Sequence, residues 1–266
     1  MRKVVCGLLG SLIMPGIMAA QGGVELGLNF VSPADEFREA TNMVGAGLNL
    51  NVSVPISKEM PFTMGFEFGY LLFGSHIQRD TLQAQVIDDG QVVDVIEMPL
   101  RLTTNNNLYH GHISLRAEAP LKIVRPYIEV LAGLRYYNTR TKVLDDTPDG
   151  RWSERDGNKV LVKQQQLGDL VGSYGFGGGV LIDLKEQIKL NLRFDYLKGG
   201  KAKFYDPEDT EKWQVSFISD ESWDPSTATG EDLVVSAQPR EANTNSYFVT
   251  VGLSFPLKFD EVSAEK

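Results

Sequence analysis

The sequence predicts an all-β fold: an up-and-down antiparallel transmembrane β-barrel of about eight strands with long outer hairpins. Three observations predict it. Apolar and polar residues alternate in about eight separate runs, each roughly nine to twelve residues long, the length a tilted strand needs to cross a bilayer, whereas soluble strands centre near five or six. The polar sides of those runs hold small residues together with charges of both signs. The connections between the runs alternate between short and long.

The clearest run is 188–196, IKLNLRFDY, where Ile188, Leu190, Leu192, Phe194 and Tyr196 alternate with Lys189, Asn191, Arg193 and Asp195. Successive strand side chains point to opposite faces, so this segment has one apolar and one charged face. A soluble sandwich would put the charged face in water. A closed barrel in lipid puts it inside.

The other runs precede and follow in the same style. Val24, Leu26, Leu28 and Phe30 open the series; Leu48, Leu50, Val52 and Val54 and then Met64, Phe66, Phe68 and Tyr70 continue it. A fourth places Tyr109, Ile113 and Leu115 against His110, His112, Ser114, Arg116 and Glu118. The fifth and sixth carry Ile128, Val130, Ala132, Leu134 and Tyr136, then Tyr174, Phe176, Val180 and Ile182. The last is Tyr247, Val249, Val251, Leu253 and Phe255. Glycine, which weakens strands, has no reason to favour a watery face. Inside a narrow barrel it makes room, and an arginine opposite is the expected occupant.

Short links follow the second, fourth and sixth runs (55–61, 120–125, 185–187), and longer ones follow the first, third, fifth and seventh. Asp88-Asp89-Gly90 between valine-rich flanks reads as the tip of a tall hairpin that continues the third and fourth strands beyond the membrane. The alternative makes 77–88 and 91–102 an extra crossing pair, giving ten strands. Asp149-Gly150 marks a second tip, and the last loop, 199–245, is acidic and carries Trp213, Trp223 and a valine run at 233–235.

The amino terminus reads as a secretory signal: Arg2 and Lys3, an apolar stretch over 4–18, then Met18-Ala19-Ala20 before Gln21. The expected division is a signal peptide at 1–20, a barrel domain at 21–259 and a short periplasmic tail at 260–266. Cys6, the single cysteine, falls within the signal, so the mature chain has no disulfide framework and no thiol chemistry. A net charge of −9 and a pI near 4.9 exclude a nucleic-acid binder.

Taken together, the signal segment, the eight alternating strands and the ending YFVTVGLSF at 247–255 resemble a small Gram-negative outer-membrane β-barrel of the OmpA/OmpX-like type. The resemblance implies a multi-pass barrel in the outer membrane, in contact with outer-membrane lipid and lipopolysaccharide. It also implies recognition by the barrel-assembly machinery through Tyr247, Gly252 and Phe255. The chain departs from the usual ending by running on to Lys266, with Phe259 an alternative closing aromatic.

Glu25, Glu67, Arg116, Glu129, Arg135, Asp183, Lys189, Arg193 and Asp195 are expected to form an interior charge network. Buried charges must pair, and such pairs lock strand register. In about eight strands the lumen is largely filled. His76, His110 and His112 share one hairpin; pairing about Asp89 would set His110 near Phe68 and His76 near Leu102, and no third ligand is evident, so no metal and no cofactor is expected. The His112-Ile-Ser114 spacing resembles the His-x-Ser of outer-membrane lipid A deacylases, which use a glutamate to activate the serine. Here the pair points inward beside Arg116 and nothing nearby completes the motif, so no catalytic residue is expected.

The expected function is therefore non-enzymatic: a structural or surface-interaction barrel acting through its protruding hairpins, with an extracellular protein partner among the candidates. It should show heat-modifiable gel mobility and negligible conductance. A narrow pore or transport accessory is the alternative, and a lipid-modifying enzyme the third reading.

Overall fold

The computed structural model describes residues 22–57, 60–88, 91–119, 121, 123–146, 160–185, 188–206, 209, 215–217, 233–235 and 238–257. The expected signal (1–20, with Cys6), the tips at 89–90 and 149–150, Trp213, Trp223, Phe259 and the tail at 260–266 lie outside them.

Eight strands close on one another. They are β1 (Gly22–Pro33), β2 (Gly45–Pro55), β3 (Phe62–Asp88), β4 (Gln91–Glu118), β5 (Val124–Asp145), β6 (Val160–Lys185), β7 (Ile188–Gly199) and, last in sequence, β12 (Ser246–Leu257). Each pairs antiparallel with its sequence neighbour, and β12 returns to β1, pairing Val24 with Phe255 and Asn29 with Thr250. Closure removes every open edge from this region, which is what allows a sheet to stand in a medium without hydrogen-bonding partners. The eight-strand reading stands, and the ten-strand alternative falls: 77–88 and 91–102 are continuous with β3 and β4.

The sidedness settles the choice between sandwich and barrel. Leu28, Leu48, Phe66, Ile113, Ile128, Phe176 and Phe194 all point outward and are exposed, while Glu67, His112, Arg135 and Asn191 are at most 1% exposed. A belt of large apolar side chains around a charged interior is unstable in water and stable in lipid. A strand of 12 residues such as β7 runs about 40 Å, or about 30 Å of height at a tilt of about 40°, which spans the hydrocarbon core.

Glycines do clear space inside, but for other side chains than arginine. A Cβ on Gly179 would meet the Tyr127 hydroxyl at 2.6 Å, although Arg193 stands opposite that glycine in register. The space over Gly252 is taken by Glu25, over Gly69 by the His110 ring and over Gly177 by Asp195. Arg193 reaches the carboxylates of Glu67, Glu129 and Asp195 instead.

Beyond the barrel, β3 to β6 continue as a wall. β3 and β4 pair from Phe62–Ala117 to Asp88–Gln91, with irregularities between Leu72 and Ser75 and between Val86 and Ile87. Arg79 and Arg101 hold Asp146, just past the end of β5, against this wall (3.3 and 3.7 Å). The last long connection contains β8 (Lys201–Phe204) paired with β11 (Arg240–Asn243), and β9 (Val215–Phe217) paired with β10 (Leu233–Val235).

The long-hairpin end of the lumen is capped by apolar side chains. The first long connection folds as a short helix, α1 (Asp35–Ala40), with no side-chain cap. So short a helix is held by tertiary contacts. Phe37 stacks on Phe73 at 5.6 Å between centroids and meets Tyr137 and Phe204 edge-on. Val31, Leu71, Leu108, Val171, Leu197 and Phe248 complete the cluster from six barrel strands. Asp35 accepts hydrogen bonds from the Tyr196 hydroxyl (2.5 Å) and Asn245 Nδ2 (2.9 Å), which hold its carboxyl below the usual aspartate range.

Candidate functional site in the barrel lumen

The interior side chains stack in three levels between the short-turn rim and the apolar cap. Their positions follow from the pleat: on β7 every second residue, Asn191, Arg193 and Asp195, is forced inward, and the same holds for Ser114, His112 and His110 on β4.

At the rim, Arg125 binds Asp183 at 2.7 Å, and both are partly open to solvent. Asp183 and Lys189 thus sit at the mouth, outside the buried network in which they were expected. Lys189 is half-buried and stands opposite Asp183 in register.

The next level is ionic and buried. Arg193 is its hub: Nη2 lies 2.5 Å from Glu67 Oε2, and Nε lies 2.9 Å from Asp195 Oδ2 and 3.5 Å from Glu129 Oε1. Arg116 closes the network on Glu129 at 3.1 Å and lies over the Tyr127 ring at 3.9 Å from its centroid. Glu25 accepts from Asn191 Nδ2 at 2.8 Å, and Asn191 Oδ1 accepts from Tyr127 at 2.8 Å. Opposite charges packed this tightly occupy the space a channel would need.

The third level holds the two histidines. His110 Nδ1 lies 3.3 Å from His112 Nδ1 and 3.4 Å from Glu67 Oε1. His112 Nε2 lies 2.8 Å from Ser173 Oγ. Arg135, fully buried above them, donates from Nη1 to the Thr244 carbonyl at 2.6 Å and stands 5.2 Å from the Phe248 ring centroid.

The order of donors and acceptors follows from the one group that can only donate. Arg193 Nη2 donates to Thr250 Oγ1 (3.2 Å), so the Thr250 proton goes to Asn29 Oδ1, a close contact. Asn29 Nδ2 then donates to His110 Nε2 (3.3 Å), which leaves the His110 proton on Nδ1, facing His112 Nδ1 and Glu67. His112 accepts there and carries its own proton on Nε2, donated to Ser173. A histidine donating to a serine cannot draw the serine's proton, so His112 and Ser173 do not form an activated nucleophile. Ser114, the serine of the His-x-Ser spacing, lies over Gly65, while the His112 ring turns its Nε2 edge to Ser173 instead.

The metal expectation needs correcting in its geometry. His110 pairs with Gly69 and His76 with Thr104, each displaced from the positions expected for pairing about Asp89. His76 is remote, but the rings of His110 and His112 lean together to 5.2 Å between centroids, and a third group able to act as a ligand, the Glu67 carboxylate, belongs to the residue directly opposite His112. The face rule could have found it. Directly paired residues share a face, and pairing His110 with outward Phe68 violates that rule, whereas a one-residue correction brings inward Glu67 to His112.

The apolar cap escapes the sequence reading, though its signal is present. Near the long-hairpin end each strand ends its alternation in an apolar doublet, such as Phe30-Val31, Leu71-Leu72, Tyr136-Tyr137, Tyr196-Leu197 or Tyr247-Phe248. One member of each faces lipid and the other the lumen. In the closing strand Tyr247 and Phe255 face outward, while Gly252 faces inward against Glu25.

No family model matches the chain, and no curated protein sequence does. Solved structures do. A major outer membrane protein from Thermus thermophilus is 11% identical, with 90% of this chain and 100% of that chain covered and a TM-score of 0.50. The attachment invasion locus protein Ail of Yersinia pestis is 8% identical over 90% of this chain and 99% of its own, with a TM-score of 0.40. Neisserial surface protein A is 9% identical over 89% and 96%, with a TM-score of 0.38. The fold is that of an eight-stranded outer-membrane β-barrel.

Proposed function

We propose that this chain is an integral outer-membrane protein of a Gram-negative bacterium whose role is structural or adhesive, carried by the wall of long strands and not by its lumen. The observation that carries the reading is the double closure of the interior, first by the Arg193 ion network and then by the Phe37 cap. Among the described residues, both stand across the path that ions or solutes would take. The donor order through His112 supports a non-enzymatic role. Above Leu72, where its pairing with β2 ends, β3 pairs with β4 alone among the described residues, and a strand edge of that kind can take a partner protein's backbone.

In this reading residues 1–20 direct export, the short turns face the periplasm and the wall stands outside the cell amid lipopolysaccharide. The assembly machinery reads Tyr247, Gly252 and Phe255. The test joins two measurements. Protease added to intact cells should cut between residues 146 and 160 and between 206 and 233 while the barrel strands survive. Planar bilayers containing the purified protein should show no discrete current steps. Current steps abolished by substitutions at Arg193 would replace this reading with a narrow pore.

A further inference from the structure

We propose that Glu67, His110 and His112 form a binding site for one zinc-like divalent transition-metal ion inside the barrel. The three residues are fully buried and offer ligand atoms all within 4.8 Å of one another. Two of the spacings carry more than proximity. In a tetrahedral site with metal–nitrogen and metal–oxygen bonds of about 2.0–2.1 Å, neighbouring ligand atoms lie about 3.3–3.4 Å apart. His110 Nδ1 is 3.3 Å from His112 Nδ1 and 3.4 Å from Glu67 Oε1. The ligand set, two imidazoles and a carboxylate, is one that zinc and its neighbours favour over calcium or magnesium.

The surroundings match what such a site needs. A ligating histidine usually donates its other ring N–H to an oxygen, which fixes ring and tautomer. His112 already does so, through Nε2 to Ser173 Oγ at 2.8 Å, with Nδ1 turned toward the site. The far oxygen of Glu67 is held by Arg193 at 2.5 Å, leaving Oε1 to the site. His110 and its partner Asn29 must adjust together. The His110 proton moves from Nδ1 to Nε2, Asn29 turns its amide so that Oδ1 accepts it, and Thr250 Oγ1 then accepts from Asn29 Nδ2 as well as from Arg193; no net proton is released. The charge is tolerable as well. Four buried carboxylates (Glu25, Glu67, Glu129, Asp195) face three buried guanidiniums (Arg116, Arg135, Arg193), so a divalent ion turns an excess of one negative charge into one positive.

All three ligands belong to the β3–β4 hairpin, and Glu67 and His112 are cross-strand partners. The ion can therefore load while the barrel assembles and staple the hairpin in register, without needing an entrance in the finished lumen.

Co2+ is the probe because its visible absorption reports coordination. The full-length protein, unfolded in urea with chelator and refolded in detergent with Co2+, should retain one ion per barrel after gel filtration. It should show the intense visible bands of four-coordinate cobalt, and Zn2+ should bleach them. Ser173→Ala, which leaves the ligands in place, should weaken binding about 10- to 100-fold. His110→Ala and His112→Ala should abolish the bands in protein that still runs at the folded position on an unheated gel. If either variant fails to fold, the wild-type spectrum and the Ser173→Ala titration decide the matter. Folded wild-type protein that retains no cobalt would overturn the proposal. So would cobalt with a weak six-coordinate spectrum, or affinity that Ser173→Ala leaves unchanged, since the acidic loops would then be the ligands.

Discussion

Replacing Arg193 by methionine tests whether the lumen is dry. The side chain is 3% exposed and sits among three carboxylates at 2.5, 2.9 and 3.5 Å. At an effective dielectric of about 20, each such contact is worth roughly 5 kcal/mol of gross attraction, most of it offset by the cost of taking the charges out of water. Removal does not recover that cost. It leaves Glu67 and Asp195 without their cation and Glu129 with Arg116 alone, a situation that typically costs about 3–5 kcal/mol. Urea titration of the protein refolded in lipid vesicles, followed by the fraction that keeps folded mobility without heating, should show the folding equilibrium falling by roughly two to three and a half orders of magnitude. Combining Arg193→Met with Glu67→Gln should cost clearly less than the two separate losses added together. A loss below about 1 kcal/mol, the worth of a solvated surface pair, would mean that water reaches the network and that the interior is an open channel.

Other expectations follow from the same geometry. Gly69→Ala puts a methyl against the His110 ring and should cost about 1–3 kcal/mol, whereas Gly172→Ala, with nothing within 4 Å of its Cβ, should stay within about 0.5 kcal/mol in the same titration. Phe37→Ala should loosen the cap by about 3–5 kcal/mol, read as faster proteolysis between residues 34 and 44, while conductance stays negligible because the ionic level is untouched. The Asp35 carboxyl is depressed when folded, so its contribution is present above the ordinary aspartate value of about 3.9 and fades as pH falls through the lower folded value. Proteolysis of the same segment should therefore rise in acid for the wild type, and lose that acid step in Asp35→Asn.

Much of this was legible in the residues because a lipid-facing strand leaves a two-residue period that few other solvents impose. The run at 188–196 showed its inside and outside residue by residue, and the eight alternating runs with links short and long in turn pointed to eight strands, with ten left open until β3 and β4 proved continuous. The charge network was legible as a set of inward positions, yet not as contacts, since these depend on how far each side chain reaches along the axis. Asp183 shows the limit: its parity is inward, but its height at the rim leaves it in solvent with Arg125. The cap was hidden because Phe37 lies in a connection with no strand period, and its strand partners sit in apolar doublets beside lipid-facing residues. Glu67 and the histidines were separated by a one-residue error in where the β3–β4 hairpin turns, since Asp88 pairs with Gln91.

Single-cysteine labelling across two neighbouring strands tests the central claim most directly. Leu192 and Val251 pair across β7 and β12 on the outer face, and Arg193 and Thr250 pair on the inner. In vesicles, cysteines at Leu192 and Val251 should react with a membrane-soluble maleimide, while those at Arg193 and Thr250 should resist both it and a water-soluble reagent. Ready modification of the Arg193 and Thr250 positions from water, with Leu192 and Val251 silent, would show that the apolar face is buried and the charged face solvated, and the barrel in lipid would be wrong.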